Sequence, residues 1–298
     1  MVTAPNPGTA LTDYLSARRA EVDAQLRTSG AVLFRGFPVR SAEDFQAAVR
    51  TFAPELLGYT YRSTPRSEES PGVYTSTEYP PAEEIPQHNE NSYAHAWPGE
   101  VWFFCERAAA RGGETPLADS RRVLDRLAPD LVARFADRGV MYVRNYRVGM
   151  DLPWEEVFQT SDRAAVAEFC DAAGIEYAWD GDDLRTSQVR PAVAEHPATG
   201  ERVWFNQAHL FHPSALKKDV RDMLVELYGE DGLPRNARFG DGTAIPEADL
   251  AAIRAAYRAE LVAAPWQQGD VLVVDNLLTS HGRRPFTPPR KVLVAMTG

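Results

Sequence analysis

The stretch Gly269-Asp270-Val271-Leu272-Val273-Val274-Asp275-Asn276, with His281 and Gly282 shortly after it, decides the fold of this chain. A short apolar run rich in branched residues and bounded by Gly and Asp is typical of a buried β-strand. His281 follows just beyond this strand, and Gly282 beside it permits close approach of the backbone. The stretch therefore predicts a core of strands with a polar site at one strand end.

Further strands and helices are predicted on both sides of this stretch. Apolar runs indicate strands at 31–34, 101–105, 140–146 and 291–296, and several short strands between 175 and 205. Helical spacing and capping residues indicate helices at 10–26, 41–52, 120–135 with a break at Pro129, 162–173, 214–228 and 246–262. The segment 59–86, rich in Ser, Thr, Pro and Glu, is interpreted as a loop that is too polar for the core.

These elements do not alternate as βαβ units would. We predict an α+β protein that is mainly β, with a double-stranded β-helix (jelly roll) core and flanking and inserted helices. No low-complexity linker divides the chain, so we expect one domain over 1–298, with a helical and loop insertion at roughly 116–260.

Composition excludes several classes of function. The chain has 298 residues, 44% of them hydrophobic, and a formal net charge of −10, which argues against a nucleic-acid surface. No repeat, dinucleotide motif or phosphate-binding loop is present. No stretch is long and apolar enough for a membrane span, and the first residues do not resemble a signal peptide, so a cytoplasmic location is expected. Cys105 and Cys170 lack metal or redox spacing and are expected to be buried free thiols.

His88, Glu90 and His281 form the leading candidate for a metal site. In an extended segment residues i and i+2 share a face, so His88 and Glu90 can point to one ion while Asn89 points away. Two imidazoles and one carboxylate are the facial triad of non-haem iron(II) oxygenases. A zinc hydrolase with Glu114 or Asp275 as its base would use the same ligands, and this alternative stays open.

Arg290 opens the last apolar run after the proline-bearing turn 285–289. We expect that turn to return the chain antiparallel to the strand before His281, which would bring the guanidinium near the metal pocket. Arginine suits bidentate recognition of a carboxylate. Taken alone, Arg290 would be a surface charge beside a strand.

Several motifs together resemble those of the iron(II)- and 2-oxoglutarate-dependent dioxygenases of the taurine dioxygenase and clavaminate synthase-like group. These are His88-x-Glu90, Gly112-Gly113-Glu114-Thr115, the run from Asp275-Asn276 to His281-Gly282-Arg283, and Pro289-Arg290-Lys291. The resemblance spans nearly the whole chain, beginning at Gly30-Ala31-Val32-Leu33-Phe34-Arg35-Gly36-Phe37. Thr115 follows His88 by 115 − 88 = 27 residues, the spacing that the family shows between these motifs.

The resemblance implies the cofactors and the chemistry. His88, Glu90 and His281 would bind Fe(II), Thr115 and Arg290 would hold the cosubstrate 2-oxoglutarate, and molecular oxygen would be consumed. The expected reaction is hydroxylation of an aliphatic carbon of an amino acid or an amino-acid-derived metabolite in specialised metabolism, with desaturation or cyclisation as alternatives. Glu90 argues against halogenation, and Val294 occupies a position where the family often has a second arginine.

Substrate contacts are predicted at Tyr59, Tyr61, Arg66, Asn206 and His209. The expected partner is a small molecule, free or tethered to a carrier protein, and a homo-oligomer is left open. Of the other histidines, His95 is expected in a packed turn, and His196, next to Pro197, is expected to be exposed. A catalytically silent jelly-roll binding protein is the alternative outside enzymes.

Overall fold

A computed structural model describes residues 1–58, 61, 64, 66–77, 79–147, 149 and 151–298. The strands are β1 Val2–Thr3, β2 Ala31–Arg35, β3 Glu68–Ser70, β4 Val73–Thr75, β5 Ile85–His88, β6 Glu100–Arg107, β7 Leu117–Asp119, β8 Val140–Tyr146, β9 Glu176–Asp180, β10 Asp183–Arg190, β11 Val193–Glu195, β12 Arg202–Trp204, β13 Arg235–Phe239, β14 Val271–Asp275, β15 Thr279–Arg283 and β16 Lys291–Thr297. The α-helices are α1 Leu11–Ser29, α2 Ala42–Phe52, α3 Ser120–Arg126, α4 Pro129–Arg138, α5 Trp154–Phe158, α6 Arg163–Ala173, α7 Ala208–Phe211, α8 Lys218–Tyr228 and α9 Glu247–Glu260.

The buried run that opened the sequence analysis forms β14, inside a seven-stranded sheet. The strand order in that sheet is β1-β2-β14-β6-β16-β4-β3, and a separate three-stranded sheet has the order β5-β15-β7. β14 pairs antiparallel with both β2 and β6, so its backbone groups are satisfied on both sides. An apolar run of this kind fits a strand whose two faces are both covered.

The two faces of the large sheet pack against different partners. Val271 and Val273 lie in one apolar cluster with side chains of α1 and α2. Leu272 and Val274, which alternate with them, lie in a second cluster with Phe103 and Val294, against which Leu117 of the small sheet packs. Alternation along the strand thus covers the sheet with helices on one side and places the small sheet on the other.

The segment between β7 and β14 supplies most of a further apolar core. It contains the sheet β13-β8-β10-β9, the hairpin β11-β12 and the helices α3 to α9. Its largest apolar cluster gathers Phe135, Trp204 and Leu250 with many other side chains. The predicted strand at 140–146 and the predicted strands between 175 and 205 are confirmed.

Two expectations from the sequence are wrong. The segment 59–86 is not simply a polar loop, because it contains β3, β4 and the start of β5, with Val73 buried in the core. The last strand does not return antiparallel to the strand before His281. β16 and β14 are each antiparallel to β6, which lies between them, so they run parallel to each other. Within the described residues, the helices lack the combination of length and apolar character that crossing a bilayer requires.

Candidate metal and cosubstrate site

The three predicted ligands meet at the small sheet. His88 ends β5 and pairs directly with His281 of β15, although 193 residues separate them in the chain (281 − 88 = 193). One ligand atom from each of His88, Glu90 and His281 lies within 4.8 Å of the others, and the two imidazole centroids are 4.5 Å apart. This cluster could hold one metal ion and leave part of its coordination sphere open.

The orientation of the His88 ring is fixed by its backbone neighbour. Its Nδ1 lies 2.9 Å from the carbonyl oxygen of Pro86, which can only accept, so Nδ1 donates and Nε2 is left as the ligand atom. Burial, together with nearby His281, lowers the pKa of His88 to about 4. The imidazole is therefore neutral near pH 7, which is the form that binds a metal.

Glu90 is held by side chains on two other segments. The Glu90 backbone N–H donates to Asn276 Oδ1 at 2.7 Å, and Asn276 Nδ2 donates back to the Glu90 carbonyl at 2.9 Å. Arg66 Nη2 donates to Glu90 Oε2 at 2.9 Å, with both side chains only 4% exposed. Burial alone would raise the pKa of Glu90, but Arg66 and the two histidines outweigh it and hold that pKa well below the usual range. Glu90 is therefore a carboxylate.

Thr115 and Arg290 line the same cavity as His88 and His281. Arg290 Nε donates to the Gly113 carbonyl at 2.8 Å, and Nη1 lies 3.4 Å from Ser76 Oγ. A Cβ at Gly113, where φ is +75°, would lie 2.8 Å from Arg290 Cδ, so only glycine admits the arginine this closely. Burial, with Arg283 nearby, lowers the pKa of Arg290 to about 10, which leaves it charged at neutral pH.

Arg283 and Arg284, the other basic residues near Arg290, differ from it in their contacts. Arg283 also lines the cavity, but its guanidinium donates to the backbone carbonyls of Tyr79, Pro80 and Glu83 at 2.7 to 3.0 Å. It therefore ties the segment before β5 to β15, the strand that carries His281. Arg284 is exposed. Arg290 also lines the cavity, but among the described residues its guanidinium donates to one backbone carbonyl, that of Gly113, and not to a set of three.

The predicted substrate residues fall into three groups. Arg66 lines the cavity. Tyr61, Asn206 and His209 are buried elsewhere: the Tyr61 ring stacks on Phe169, Asn206 bonds Ala192 and Ala208, and His209 Nε2 bonds the Gln87 carbonyl. Burial lowers the pKa of His209 to about 3. Tyr59 lies outside the described residues. The predicted substrate role of these residues stays a prediction.

The remaining histidines differ from what the sequence suggests. His196 is not exposed but 5% accessible, because its Nε2 bonds Asp275 Oδ2 at 2.9 Å while its Nδ1 accepts from Thr199 N–H at 3.1 Å. Asp275 Oδ1 also accepts from the backbone N–H of Leu277 and of Leu278. Both oxygens of Asp275 are thus occupied, which disfavours it as the base of a hydrolase. His95 is exposed, with Phe169 beside its ring.

Sequence reasoning missed several residues at the site. Asn276, which bonds the Glu90 backbone, belongs to one of the motifs that carry the family resemblance. Its position shortly before His281 in that motif could have identified it. Ser76, Thr77 and Phe103 line the cavity. Their positions depend on sheet pairing between distant segments, and no local pattern marks them.

Comparison with known proteins agrees with this geometry. A sequence profile of the family described as taurine catabolism dioxygenase TauD, TfdA family matches residues 3–297. The chain is 44% identical over 298 residues to the dapdiamide synthesis protein DdaC of Enterobacter agglomerans, covering 99% of this chain and 90% of that protein. It is 33% identical over 297 residues to a clavaminate synthase-like protein of Arabidopsis thaliana, covering 96% of this chain and 86% of that protein.

A solved structure shares the fold at low sequence identity. Asparagine oxygenase, solved with Fe(II), 2S,3S-3-hydroxyasparagine and succinate, matches with a TM-score of 0.61 at 15% identity, covering 99% of this chain and 92% of that one. The family profile extends over almost the entire sequence, including both segments that supply the histidine and carboxylate cluster. The chain belongs to the TauD, TfdA family and is an iron(II)- and 2-oxoglutarate-dependent dioxygenase.

Proposed function

We propose that this dioxygenase hydroxylates an aliphatic carbon of an amino acid or an amino-acid-derived metabolite in specialised metabolism. The observation that carries the proposal is a single cavity that joins His88 and His281 to Thr115 and Arg290, with Glu90 beside them. The 44% identity to a dapdiamide synthesis protein supports a biosynthetic role. The shared fold of asparagine oxygenase, solved with a hydroxylated amino acid, is consistent with the substrate class.

His88, Glu90 and His281 are the proposed iron ligands, and Thr115 and Arg290 the proposed 2-oxoglutarate residues. Bound iron would supply oxygen activation coupled to decarboxylation of 2-oxoglutarate to succinate. The chain's own contribution is to hold neutral imidazole and ionised carboxylate together in a buried place. Arg290 presents a fixed positive charge, and the Thr115 hydroxyl offers a hydrogen-bonding group on the same wall.

The sheets fit a double-stranded β-helix core. We assign the seven-stranded sheet and the β5-β15-β7 sheet as its two walls, since Leu117 of the small sheet packs on the inner face of the large one. Residues 1–298 would then form one domain, with an insertion at roughly 116–260. Both metal histidines lie on the small sheet at paired positions, which such a core would hold rigidly.

Desaturation or cyclisation would use the same residues, and the cavity alone favours none of these outcomes. Val294 lines the cavity where the family often has a second arginine, so an acidic headgroup would be held elsewhere or be masked by esterification or by tethering to a carrier protein. A cytoplasmic location is proposed with the same function.

The first experiment tests iron and 2-oxoglutarate binding. Anaerobic addition of Fe(II) and 2-oxoglutarate should produce a weak visible charge-transfer band that His88→Ala abolishes. His95→Ala is the matched control, because His95 is exposed and lies outside the ligand cluster, and it should leave the band unchanged. Absence of both the band and succinate formation in the iron-loaded protein would refute the proposal.

The second experiment addresses the substrate. Succinate release, measured with free amino acids and with aminoacyl thioesters on a carrier protein, should be stimulated by one of these two sets above the uncoupled rate. Mass spectrometry of the stimulated reaction should show a gain of one oxygen atom. A loss of two hydrogens without oxygen gain would replace hydroxylation by desaturation or cyclisation.

A further inference from the structure

Arg66 is the cavity residue whose role the family motifs leave unassigned. It lies in the segment before β3, 24 residues before Glu90, and its side chain is 4% exposed. Its Nη2 donates to Glu90 Oε2 at 2.9 Å. The contact joins a buried cation to the carboxylate of the metal cluster.

The oxygen that Arg66 contacts is also the one that faces the metal position. Glu90 Oε2 lies 3.6 Å from His281 Nε2, a separation that one ion between the two atoms can bridge. Arg66 therefore donates to the ligand oxygen itself and not to a remote part of the side chain. Glu90 Oε2 would keep one lone pair for the metal and use the other for Arg66.

Within the part of the chain that the structure describes, the other two arginines of the cavity donate to other groups and not to Glu90. Arg290 is held by Gly113 and Ser76, and Arg283 by backbone carbonyls. The Glu90 backbone is fixed by Asn276, but that clamp leaves the carboxylate free to rotate about its side-chain bonds. Arg66 supplies the remaining constraint, because a charge-assisted bond fixes the carboxylate direction.

We propose that Arg66 is a positioning residue that holds Glu90 Oε2 toward the metal, so that the metal-binding geometry exists before the metal enters. The guanidinium also stabilises the buried Glu90 carboxylate in the metal-free protein. Hydrogen-bond donors to ligating carboxylates contribute to metal affinity, and their loss typically costs about tenfold to a hundredfold. This inference rests on the proposed assignment of Glu90 as an iron ligand.

The test measures binding of Mn(II) alone, by electron paramagnetic resonance of the free ion, with no 2-oxoglutarate present. Arg66→Met should weaken Mn(II) binding by about tenfold or more. Arg290→Met is the matched control: it removes a cation from the same cavity without touching the ligand cluster and should leave Mn(II) affinity unchanged. Arg66→Lys keeps the charge and should recover part of the lost Mn(II) affinity. If Arg66 had a purely structural role, a folded Arg66→Met variant would bind Mn(II) normally and there would be no loss to recover.

Several outcomes would overturn the proposal. If Arg66→Met binds Mn(II) as tightly as the unaltered protein, Arg66 does not position Glu90. Tighter binding in Arg66→Met would show that Arg66 acts as a repelling charge, which also overturns the proposal. Equal losses in Arg66→Met and Arg290→Met would indicate a general disturbance of the cavity and not positioning of Glu90, because the loss of a cation would by charge alone favour Mn(II) binding. His88→Ala separates the two hypotheses, since retained Mn(II) affinity in that variant refutes the ligand assignment itself. Should Arg66→Met not fold, the neutral variant Arg66→Gln takes its place, and Mn(II) affinity equal to that of the unaltered protein in folded Arg66→Gln refutes the proposal.

Discussion

Replacing Arg290 by alanine should raise the requirement for 2-oxoglutarate without changing metal binding. The Arg290 guanidinium uses Nε on the Gly113 carbonyl and Nη1 on Ser76, which fixes the plane of the group inside the cavity. Hydrogen bonds to charged groups contribute roughly 1.5 to 3 kcal/mol each. At about 1.4 kcal/mol per factor of ten, the loss of one such contact corresponds to roughly a tenfold to hundredfold weaker affinity.

The assay is titration of the anaerobic charge-transfer band with 2-oxoglutarate, checked by succinate formation against 2-oxoglutarate concentration. Arg284→Ala is the control, because Arg284 is adjacent to Arg283 but exposed, and it should leave the titration unchanged. Circular dichroism and the midpoint of thermal unfolding would show that Arg290→Ala is folded. An unchanged apparent affinity in Arg290→Ala would refute the assignment and direct attention to Arg283.

The pH dependence of 2-oxoglutarate affinity provides a second check on Arg290. Burial lowers the pKa of Arg290 to about 10, and the cationic form is the one that binds a carboxylate, so affinity should be constant from pH 7 to pH 9 and fall only as pH rises through the pKa. A lysine starts from a lower usual pKa of about 10.4, and the same burial would lower it further. Arg290→Lys should therefore lose 2-oxoglutarate affinity at a lower pH than the unaltered protein, and identical pH profiles would contradict this reasoning.

Two further substitutions test the packing around the site. Gly113→Ala should weaken 2-oxoglutarate binding, because the new Cβ would lie 2.8 Å from Arg290 Cδ; Gly181→Ala, at φ +58° with nothing within 4 Å, carries similar backbone strain and should leave the titration unchanged. His196→Ala should lower the free energy of unfolding by roughly 1 to 3 kcal/mol in urea denaturation, since it leaves buried Asp275 without its imidazole donor, and an unchanged midpoint would show that this bond does not stabilise the fold.

The cluster proposed to bind the metal was predictable from sequence because the local pattern and the chemistry agree. His88 and Glu90 are two residues apart, and His281 follows a buried strand, so each half of the site is visible in its own segment. The direct pairing of His88 with His281 across two strands is not visible in this way, since it depends on the register of β5 against β15. β5 and β7 have four and three residues, too few for periodicity to indicate a strand.

Non-local contacts explain the predictions that failed. His196 stands before a proline in a polar hairpin, which is typical of an exposed turn, yet its partner Asp275 is 79 residues away and draws it into the interior. Arg290 lies near the pocket, as expected. The expectation assumed that the last strand runs antiparallel to the strand before His281, and the topology contradicts that assumption. After β15 the chain crosses to the side of β6 opposite β14, where it forms β16. Arg290 and Val294 line the cavity from there.

Val294 and Arg66 bear together on how the cavity distinguishes substrates. Both line it, and Val294 of β16 follows Arg290 by four residues in the chain, so the wall beside the proposed 2-oxoglutarate residue is apolar where a second cation could have stood. Arg66 enters from another segment and is engaged by Glu90. If Arg66 serves the metal ligand, an acidic substrate headgroup finds no uncommitted arginine among Arg66, Arg283 and Arg290. This distribution of charge favours a substrate whose acidic group is masked or lies beyond the cavity, which is why carrier-bound thioesters belong beside free amino acids in the substrate screen.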